Sequence, residues 1–187
     1  MNRKSYLFGL ASPVSSPISS GMNRIVVIAA ALGAALLSAA PALAECTDPA
    51  QPKVNWRRCY FDGRDLGGVD LSGAMLRDTT FQRAKLKGAN LSEADGYRAK
   101  FVSADLPQVN FAGARLIEAD FTRADLTGAV FREADLRNAK LVNAVLKGAD
   151  FTGARLGGAD LRHADLSGAT WIDGKRVCAE NSVGQCY

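Results

Sequence analysis

A period of five residues governs this chain from residue 59 to residue 171. Large apolar side chains stand at every fifth position from Phe61 to Trp171, which makes 23 centres with one exception, Gly96. Five steps along an α-helix turn about 140°, so a helix would scatter these side chains around all of its faces. In a single long strand, successive centres would point to opposite sides of the sheet. Neither a helix nor a long strand can therefore bury this pattern.

The spacing inside each five-residue unit indicates what can bury it. From Ala74 onward, the residue two places before each centre is almost always Ala. Inward positions are thus two residues apart and then three, as in a short extended segment followed by a corner. A chain that repeats segment and corner winds into a solenoid whose coils stack on one another.

Sorting the centres by a period of 20 shows how many sides each coil has. All seven Phe residues of the array fall into two of the four columns, on opposite sides, and a third column holds only Leu. Like stacks on like when one coil lies directly over the next, so the pattern predicts four sides. The three columns are Phe61, Phe81, Phe101, Phe121, Leu141 and Leu161; Leu71, Leu91, Phe111, Phe131, Phe151 and Trp171; and Leu66, Leu86, Leu106, Leu126, Leu146 and Leu166.

The repeating units resemble those of the pentapeptide-repeat family. Clear examples are ADLRH at residues 159–163, ADLSG at 164–168 and ANLSE at 89–93. The resemblance covers residues 59–171 and implies an all-β fold, the right-handed quadrilateral parallel β-helix, with about 23 pentapeptides in 5 to 6 coils. It implies no single activity, because such folds host many roles.

Residues 1–44 are typical of a secretory signal. They carry three basic residues and no acidic one, and residues 25–40 form a nearly continuous apolar run. Ala42 and Ala44 are the small residues that signal peptidase requires, so cleavage before Glu45 is predicted. Met22 opens a signal of ordinary length, residues 22–44, and is an alternative start to Met1. A retained N-terminal anchor helix is the other interpretation, although the run is short for a span of about 20 residues.

Removal of this segment leaves a nearly neutral protein. Residues 45–187 hold 20 basic and 19 acidic residues, so the basic balance of the full chain comes largely from the signal. We therefore expect a secreted, periplasmic protein with no nucleic-acid partner and no stable membrane anchor after processing. The sequence indicates no oligomeric state.

Four cysteines flank the array: Cys46, Cys59, Cys178 and Cys186. In an exported chain they predict disulfides, with three possible connectivities. The ends of the solenoid should lie about 26 Å apart at about 4.8 Å per strand layer, whereas a disulfide needs Cα atoms within about 7 Å. Cys46–Cys59 and Cys178–Cys186 are therefore predicted. They would tie an N-terminal cap, residues 45–58, and a C-terminal cap, residues 172–187.

The outward positions predict structure more than chemistry. Glycine at five of six equivalent corners, from Gly68 to Gly168, indicates a turn with positive φ. Two columns of alternating charge predict pairing between neighbouring coils: Asp95, Arg115, Asp135 and Arg155; and Lys100, Asp120, Lys140 and Asp160. His163, the only histidine, has no nucleophile or orienting acid in its column. No catalytic residue, metal ligand or cofactor is predicted.

One irregular region surrounds Gly96, the vacant centre. Tyr97, Val102 and Ile117 add apolar groups at outward positions nearby. One interpretation is a small apolar patch for a partner, formed by Gly96, Tyr97, Val102 and Ile117. The other, which we favour here, is a local bulge in which Tyr97 swings inward to fill the missing Leu volume.

These observations lead to one functional hypothesis and two alternatives. The leading hypothesis is a non-catalytic exported β-solenoid that serves as a structural or protein-binding module, with another protein as partner. Some members of the resembling family are DNA mimics that bind type II topoisomerases through acidic surfaces, but the neutral balance and the export signal disfavour that role. An enzyme with an unrecognised site ranks third.

Overall fold

The computed structural model describes residues 46–187. The predicted signal segment, with Ala42, Ala44 and Glu45 at its cleavage site, lies outside the described residues. Within residues 46–187 the backbone repeats a turn and a single bridging residue every five positions, and it contains no helix and no strand longer than one residue. Parallel bridges join residues 20 apart, from Asn55↔Met75 to Asp150↔Thr170. Four units therefore make one coil, which confirms the four sides predicted from the sequence.

Each unit satisfies its backbone groups in the same way. Asp105, for example, donates its N–H to Ala84 O of the coil below at 2.9 Å and accepts a bond from Leu86 N at 2.7 Å. A second bond, from Ala89 N to Leu86 O at 2.9 Å, closes the corner. The hydrogen bonds between coils and those that close the corners together leave few backbone polar groups unpaired inside the solenoid, as a buried backbone requires.

The corners adopt positive φ whether or not glycine occupies them. Gly68, Gly88, Gly128, Gly148 and Gly168 have φ between 63 and 69°, and Gln108 completes their column at 58°. The predicted positive φ is thus confirmed. Arg83, Ser103, Arg123, Asn143 and His163 adopt values between 55 and 61° in the neighbouring column. The fold imposes this conformation, which costs an L-residue about 1–2 kcal/mol, and glycine relieves the cost along one edge.

Two phenylalanine ladders form the centre of the core. Phe81, Phe101 and Phe121 stack with ring centroids 5.1 and 4.9 Å apart along one side. On the opposite side, Phe111 and Phe131 stack at 5.3 Å. The two ladders meet edge-to-face across the interior, with Phe101 and Phe111 at 5.7 Å. Aromatic pairs in such geometry contribute about 0.5–1.5 kcal/mol each beyond burial. The columns read from the sequence are confirmed.

The regular pairing begins before the visible repeat. Asn55 bridges Met75, and Trp56, only 2% exposed, takes the position of a centre one coil below Leu76. The fully buried Thr79 donates a hydrogen bond from Oγ1 to Trp56 O. This coil therefore includes residues that show no repeat in the sequence.

Both ends carry disulfide-bonded caps. Cys46 bonds Cys59 across a Cα separation of 5.4 Å, and Cys178 bonds Cys186 across 4.8 Å. These are the two pairs predicted from the sequence. The C-terminal cap folds back on the last coil through antiparallel bridges, Thr170↔Val177 and Asp165↔Val183. No helix in the described part of the chain is long and apolar enough to cross a membrane.

The charge columns pair only partly as predicted. Arg115 Nη1 does reach Asp95 Oδ1 of the coil below, at 3.2 Å. Asp135 is instead bonded by Arg137 and Asp160 by Arg162, at 2.7 and 2.6 Å, within the same coil. For these two carboxylates the predicted pairing between coils is wrong. An Arg two residues further on lies on the same face and reaches the carboxylate directly.

Candidate functional site

The irregular coil keeps its register through Gly96. Asp95 bridges both Met75 and Arg115, and Gly96 N donates to Arg115 O at 2.9 Å. Gly96 itself is buried. The local bulge predicted from the sequence is therefore wrong, because the backbone ladder continues without an inserted residue.

Leu116 fills the volume that a leucine at position 96 would occupy. A Cβ on Gly96 would lie 2.9 Å from Leu116 Cδ2, closer than such atoms approach in proteins. Leu116 is only 1% exposed. The prediction that Tyr97 swings inward is also wrong, because Tyr97 keeps its outward position and the inward neighbour in the next coil closes the gap.

Tyr97 is surrounded by arginines on the outer surface. The guanidinium carbons of Arg98, Arg77 and Arg115 lie 4.9, 5.1 and 5.3 Å from its ring centroid. Contacts of this length are cation–π interactions, worth about 0.5–1 kcal/mol each at exposed sites. The Tyr97 hydroxyl donates to Glu118 Oε1 at 3.3 Å. The ring is thereby held half-buried, in contact with three guanidinium groups and, through its hydroxyl, with one carboxylate.

Two carboxylates organise these arginines. Arg98 Nε bonds Glu118 Oε2 at 2.7 Å, and Asp95 lies 3.2 Å from Arg115 and 3.9 Å from Arg77. The side-chain hydrogen bond from Arg98 holds the pKa of Glu118 below its usual value, and the same bond raises the pKa of Arg98. We call these six residues the Tyr97 cluster: Arg77, Asp95, Tyr97, Arg98, Arg115 and Glu118. Its three guanidinium groups outnumber its two carboxylates.

The other residues of the predicted patch lie around this cluster. Ile117 is half-buried and takes the position of Tyr97 one coil further on, where its carbonyl accepts the N–H of Arg98 at 3.0 Å. Val102, also half-buried, lies on the next side of the coil, beyond the corner at Arg98. Gly96 is beneath the surface and contributes no group to it. Tyr97 and Ile117 thus share one side, and Val102 does not.

A groove of about 480 Å³ runs along the corner next to the cluster. It shares Arg98 and Glu118 with the cluster, and all of its lining side chains are charged or polar. This groove is not apparent from the sequence, because the two columns that line it belong to different sides of the coil. Its lining residues come from two adjacent columns and are Asp78, Arg98, Lys100, Glu118, Asp120, Asn138 and Lys140.

The remaining candidate positions form no chemical site. His163 is exposed at a corner with φ of 59°. Within residues 46–187, no group of three or more His, Cys, Asp or Glu side chains could hold a metal ion. A cavity of about 370 Å³ lies at the N-terminal end between the cap and the first coil, against Trp56, Phe61 and Leu66. Asp48 and Arg64 are the ionisable side chains among its lining residues, and the cavity is a gap beneath the cap.

The bridges, corners and stacked core define the class of this protein as a quadrilateral β-solenoid built from five-residue units. The family model for pentapeptide repeats matches eight copies, over residues 57–93, 97–132 and 129–168. The chain therefore belongs to the pentapeptide repeat family, whose members are right-handed quadrilateral β-helices.

Several solved structures are similar to this chain. HetL, a pentapeptide repeat protein involved in heterocyst differentiation regulation in the cyanobacterium Nostoc, is 27% identical over 68% of this chain and 73% of its own, with a TM-score of 0.40. QnrB1, a plasmid-mediated fluoroquinolone resistance protein, is 25% identical over 63% of each chain, also at 0.40. A pentapeptide repeat protein of the Arabidopsis thaliana thylakoid lumen is 28% identical over 67% of this chain and 85% of its own, at 0.30. Similarities with TM-scores this low carry no argument about role. No curated protein matches the sequence.

Proposed function

We propose that this chain is an exported, non-catalytic β-solenoid of about 23 pentapeptides in 5 to 6 coils, and that it binds another protein through the Tyr97 cluster. The observation that carries the proposal is Tyr97 with the guanidinium groups of Arg77, Arg98 and Arg115 around its ring. Tyr and Arg are the residues most enriched where a few side chains dominate a protein interface.

The scaffold favours this use of the cluster. Backbone ladders hold the outward positions in place, and the ion pairs hold the side chains. A binding surface whose side chains are already ordered loses less conformational entropy when a partner binds. The neighbouring charged groove, with Lys100 and Lys140 among its lining residues, provides a polar rim.

Export is supported by two independent features. The disulfides Cys46–Cys59 and Cys178–Cys186 suit an oxidising compartment such as the periplasm. The N-terminal sequence has the basic flank, apolar run and Ala42-Leu43-Ala44 site of a secretory signal. We propose the periplasm as the location of the processed protein.

Site-specific photocrosslinking tests the binding proposal. A photoactivatable phenylalanine analogue would replace Tyr97 in one variant and Tyr60, the other outward tyrosine in the array, in a matched control. Irradiation of the exporting host should produce a defined crosslinked species from position 97, and Tyr97→Ala should abolish co-purification of the same partner. Equal crosslinking from both positions, or none from position 97, would exclude the cluster as the binding surface.

A topoisomerase-binding DNA mimic is not favoured by the side of the solenoid that carries the Tyr97 cluster. Such a protein needs a continuous acidic face that resembles DNA phosphates. On the side that carries the Tyr97 cluster, arginines outnumber carboxylates.

A further inference from the structure

Exposed large apolar side chains are concentrated at the C-terminal end. Within residues 46–187 there are five of them, and four follow the last centre of the array: Ile172, Val177, Val183 and Tyr187, which are 42, 60, 48 and 66% exposed. The fifth, Tyr60, lies in the first coil. Apolar surface gathered at one end of a molecule marks that end as a site of association.

The C-terminal cap covers only half of the last coil. Cys178 N donates to Ala169 O at 2.8 Å on one side, and Gly184 N donates to Ala164 O at 2.9 Å on the next. The sides centred on Leu156 and Leu161 receive no such cover from the described residues. The end of the solenoid therefore has the shape of a step. The two adjacent sides that the cap covers extend one strand layer beyond the two sides that it leaves open.

The uncovered half of the step is an open sheet edge. One coil earlier, Leu136 N donates to Arg155 O at 2.9 Å and Leu141 N to Asp160 O at 2.8 Å. Within residues 46–187, the N–H groups of Leu156 and Leu161 have no corresponding acceptor. The carbonyls of Ala154 and Ala159 likewise have no donor in the described part of the chain. Leu156 and Leu161 are half-buried, whereas Leu136 and Leu141 are fully buried.

The covered half presents an open edge of its own. The residues on either side of Val177 bond to the coil, Arg176 through its carbonyl and Cys178 through its N–H. In an antiparallel pair, the backbone groups of the residue between them point away from the partner strand. Val183 is placed in the same way between Ser182 and Gly184. Neither valine has a backbone hydrogen-bond partner among residues 46–187.

We infer that two copies of this chain associate through their C-terminal ends, with the cap of each copy covering the open sides of the other's last coil. A two-fold axis perpendicular to the solenoid axis relates the two copies. This rotation places the two capped sides of each copy over the two open sides of the other. Such an interface is isologous and closes at two copies, so it does not extend into a fibre. It removes both open edges of each copy at once.

The register of the open groups fits this arrangement. In each regular bridge between coils, the upper bridging residue makes both hydrogen bonds. Its carbonyl accepts from the N–H of the residue after its lower partner, and its N–H donates to the carbonyl of the residue before that partner. Val177 of the second copy provides an acceptor for Leu156 N and a donor for Ala154 O. Val183 of the second copy does the same for Leu161 N and Ala159 O. The cap runs antiparallel to its own coil, and the two-fold rotation makes it parallel to the other copy's coil, as the ladder requires.

The pairing also places specific side chains together. In a parallel bridge, bridging residues project side by side on the same face of the sheet. Val177 therefore lies beside Arg155 of the second copy, and Val183 lies beside Asp160 of the second copy. Within its own chain Val177 bridges the neutral Thr170, whereas Val183 bridges Asp165. A charge introduced at Val177 should therefore weaken the dimer when it is positive and leave it intact when it is negative.

Sedimentation equilibrium of the exported, processed full-length protein tests the inference. The wild-type protein should have twice the mass of one chain at high concentration. Val177→Arg should raise the dimer dissociation constant about tenfold or more, since the like-charge contact with Arg155 of the second copy occurs twice, and Val177→Asp should not raise it. Matched controls are Val142→Arg, at an outward valine in the middle of the array, and Tyr60→Arg, at the exposed apolar residue of the other end.

Hydrogen exchange provides a second measurement that needs no substitution. The amides of Leu156 and Leu161 should be protected in the dimer and should lose protection on dilution, whereas the amides of Leu136 and Leu141 should stay protected. A single-chain mass at every concentration would overturn the inference. A dimer weakened by Tyr60→Arg and not by Val177→Arg, or a monomer whose C-terminal edge is covered by a different protein, would overturn it as well.

Discussion

Leu116 occupies the space in which a side chain at Gly96 would begin, since a methyl group on Gly96 would lie 2.9 Å from Leu116 Cδ2. The two residues are equivalent positions in neighbouring coils, joined by the bond from Gly96 N to Arg115 O. The absence of one side chain is thus compensated by its neighbour along the solenoid axis, and the outer surface at Tyr97 is left unchanged.

This relationship predicts the outcome of refilling the vacant centre. Gly96→Leu should destabilise the protein by about 1–3 kcal/mol, because inserting volume into a packed core forces side chains out of their rotamers. Thermal unfolding followed by circular dichroism would measure the loss as a melting temperature several degrees lower.

A double variant identifies the residue responsible. Leu116→Ala alone should destabilise the protein by about 2–5 kcal/mol. Combined with Gly96→Leu, the cost should be less than the sum of the two single changes, since each relieves the other. Additive losses, or a melting temperature that rises in Gly96→Leu alone, would contradict the packing seen around Leu116.

Acid should destabilise the solenoid through aspartates that bond their own corners. Ser167 donates from Oγ at 2.6 Å and from N at 3.1 Å to Asp165 Oδ1. The side-chain hydrogen bond from Ser167 holds the pKa of Asp165 below its usual value. A lowered pKa in the folded state contributes stability that is present above the unfolded value of about 3.9 and lost as pH falls through the folded value.

We therefore expect the melting temperature to fall as pH drops below about 4, and to fall less steeply in Asp165→Asn. Asn keeps an acceptor for the corner but does not titrate. Asp105→Asn is the matched control, because Asp105 occupies the same column and its side chain makes no hydrogen bond or ion pair within residues 46–187. Equal acid sensitivity in wild type and Asp165→Asn would rule out this carboxylate as a source.

The disulfides predict two separable stabilising effects. Each closes a short loop, and removing either by a double Cys→Ser change should cost about 2–3 kcal/mol by loop-closure entropy. Peptide mapping without reduction should recover Cys46 with Cys59 and Cys178 with Cys186. A peptide that links the two ends, such as Cys59 with Cys178, would be incompatible with the stacked coils between them.

Processing is tested by the mass of the exported protein. The mature chain should begin at Glu45, because Ala42 and Ala44 fit the signal peptidase. Intact-mass measurement from an export-competent host decides this, and Ala44→Arg should block cleavage as a control. Recovery of the uncleaved chain in the membrane fraction of the wild type would support the retained anchor helix instead.

The features that the sequence predicts correctly are those that its periodicity encodes. The period of five, the four columns and the positive φ at corners such as Gly68 repeat many times, so each coil confirms the others. The cysteine pairs follow from the same regularity, because the length of the array separates Cys59 from Cys178. Inward side chains all point into the core and pack against the equivalent side chains of the neighbouring coils. Their contacts can therefore be predicted from the spacing alone.

Outward side chains and ends were decided only by the tertiary structure. Asp135 forms an ion pair with Arg137 of its own coil, and three arginine side chains contact the Tyr97 ring. Spacing does not predict these contacts, because a flexible surface side chain has several partners within its reach. Leu116 fills the space at Gly96 through a rotamer that no spacing reveals. The cap covers two sides and leaves Leu156 and Leu161 open because residues 172–187 turn back instead of continuing the coil. Periodicity determines a repeated interior, whereas local geometry decides how each exception and each end is closed.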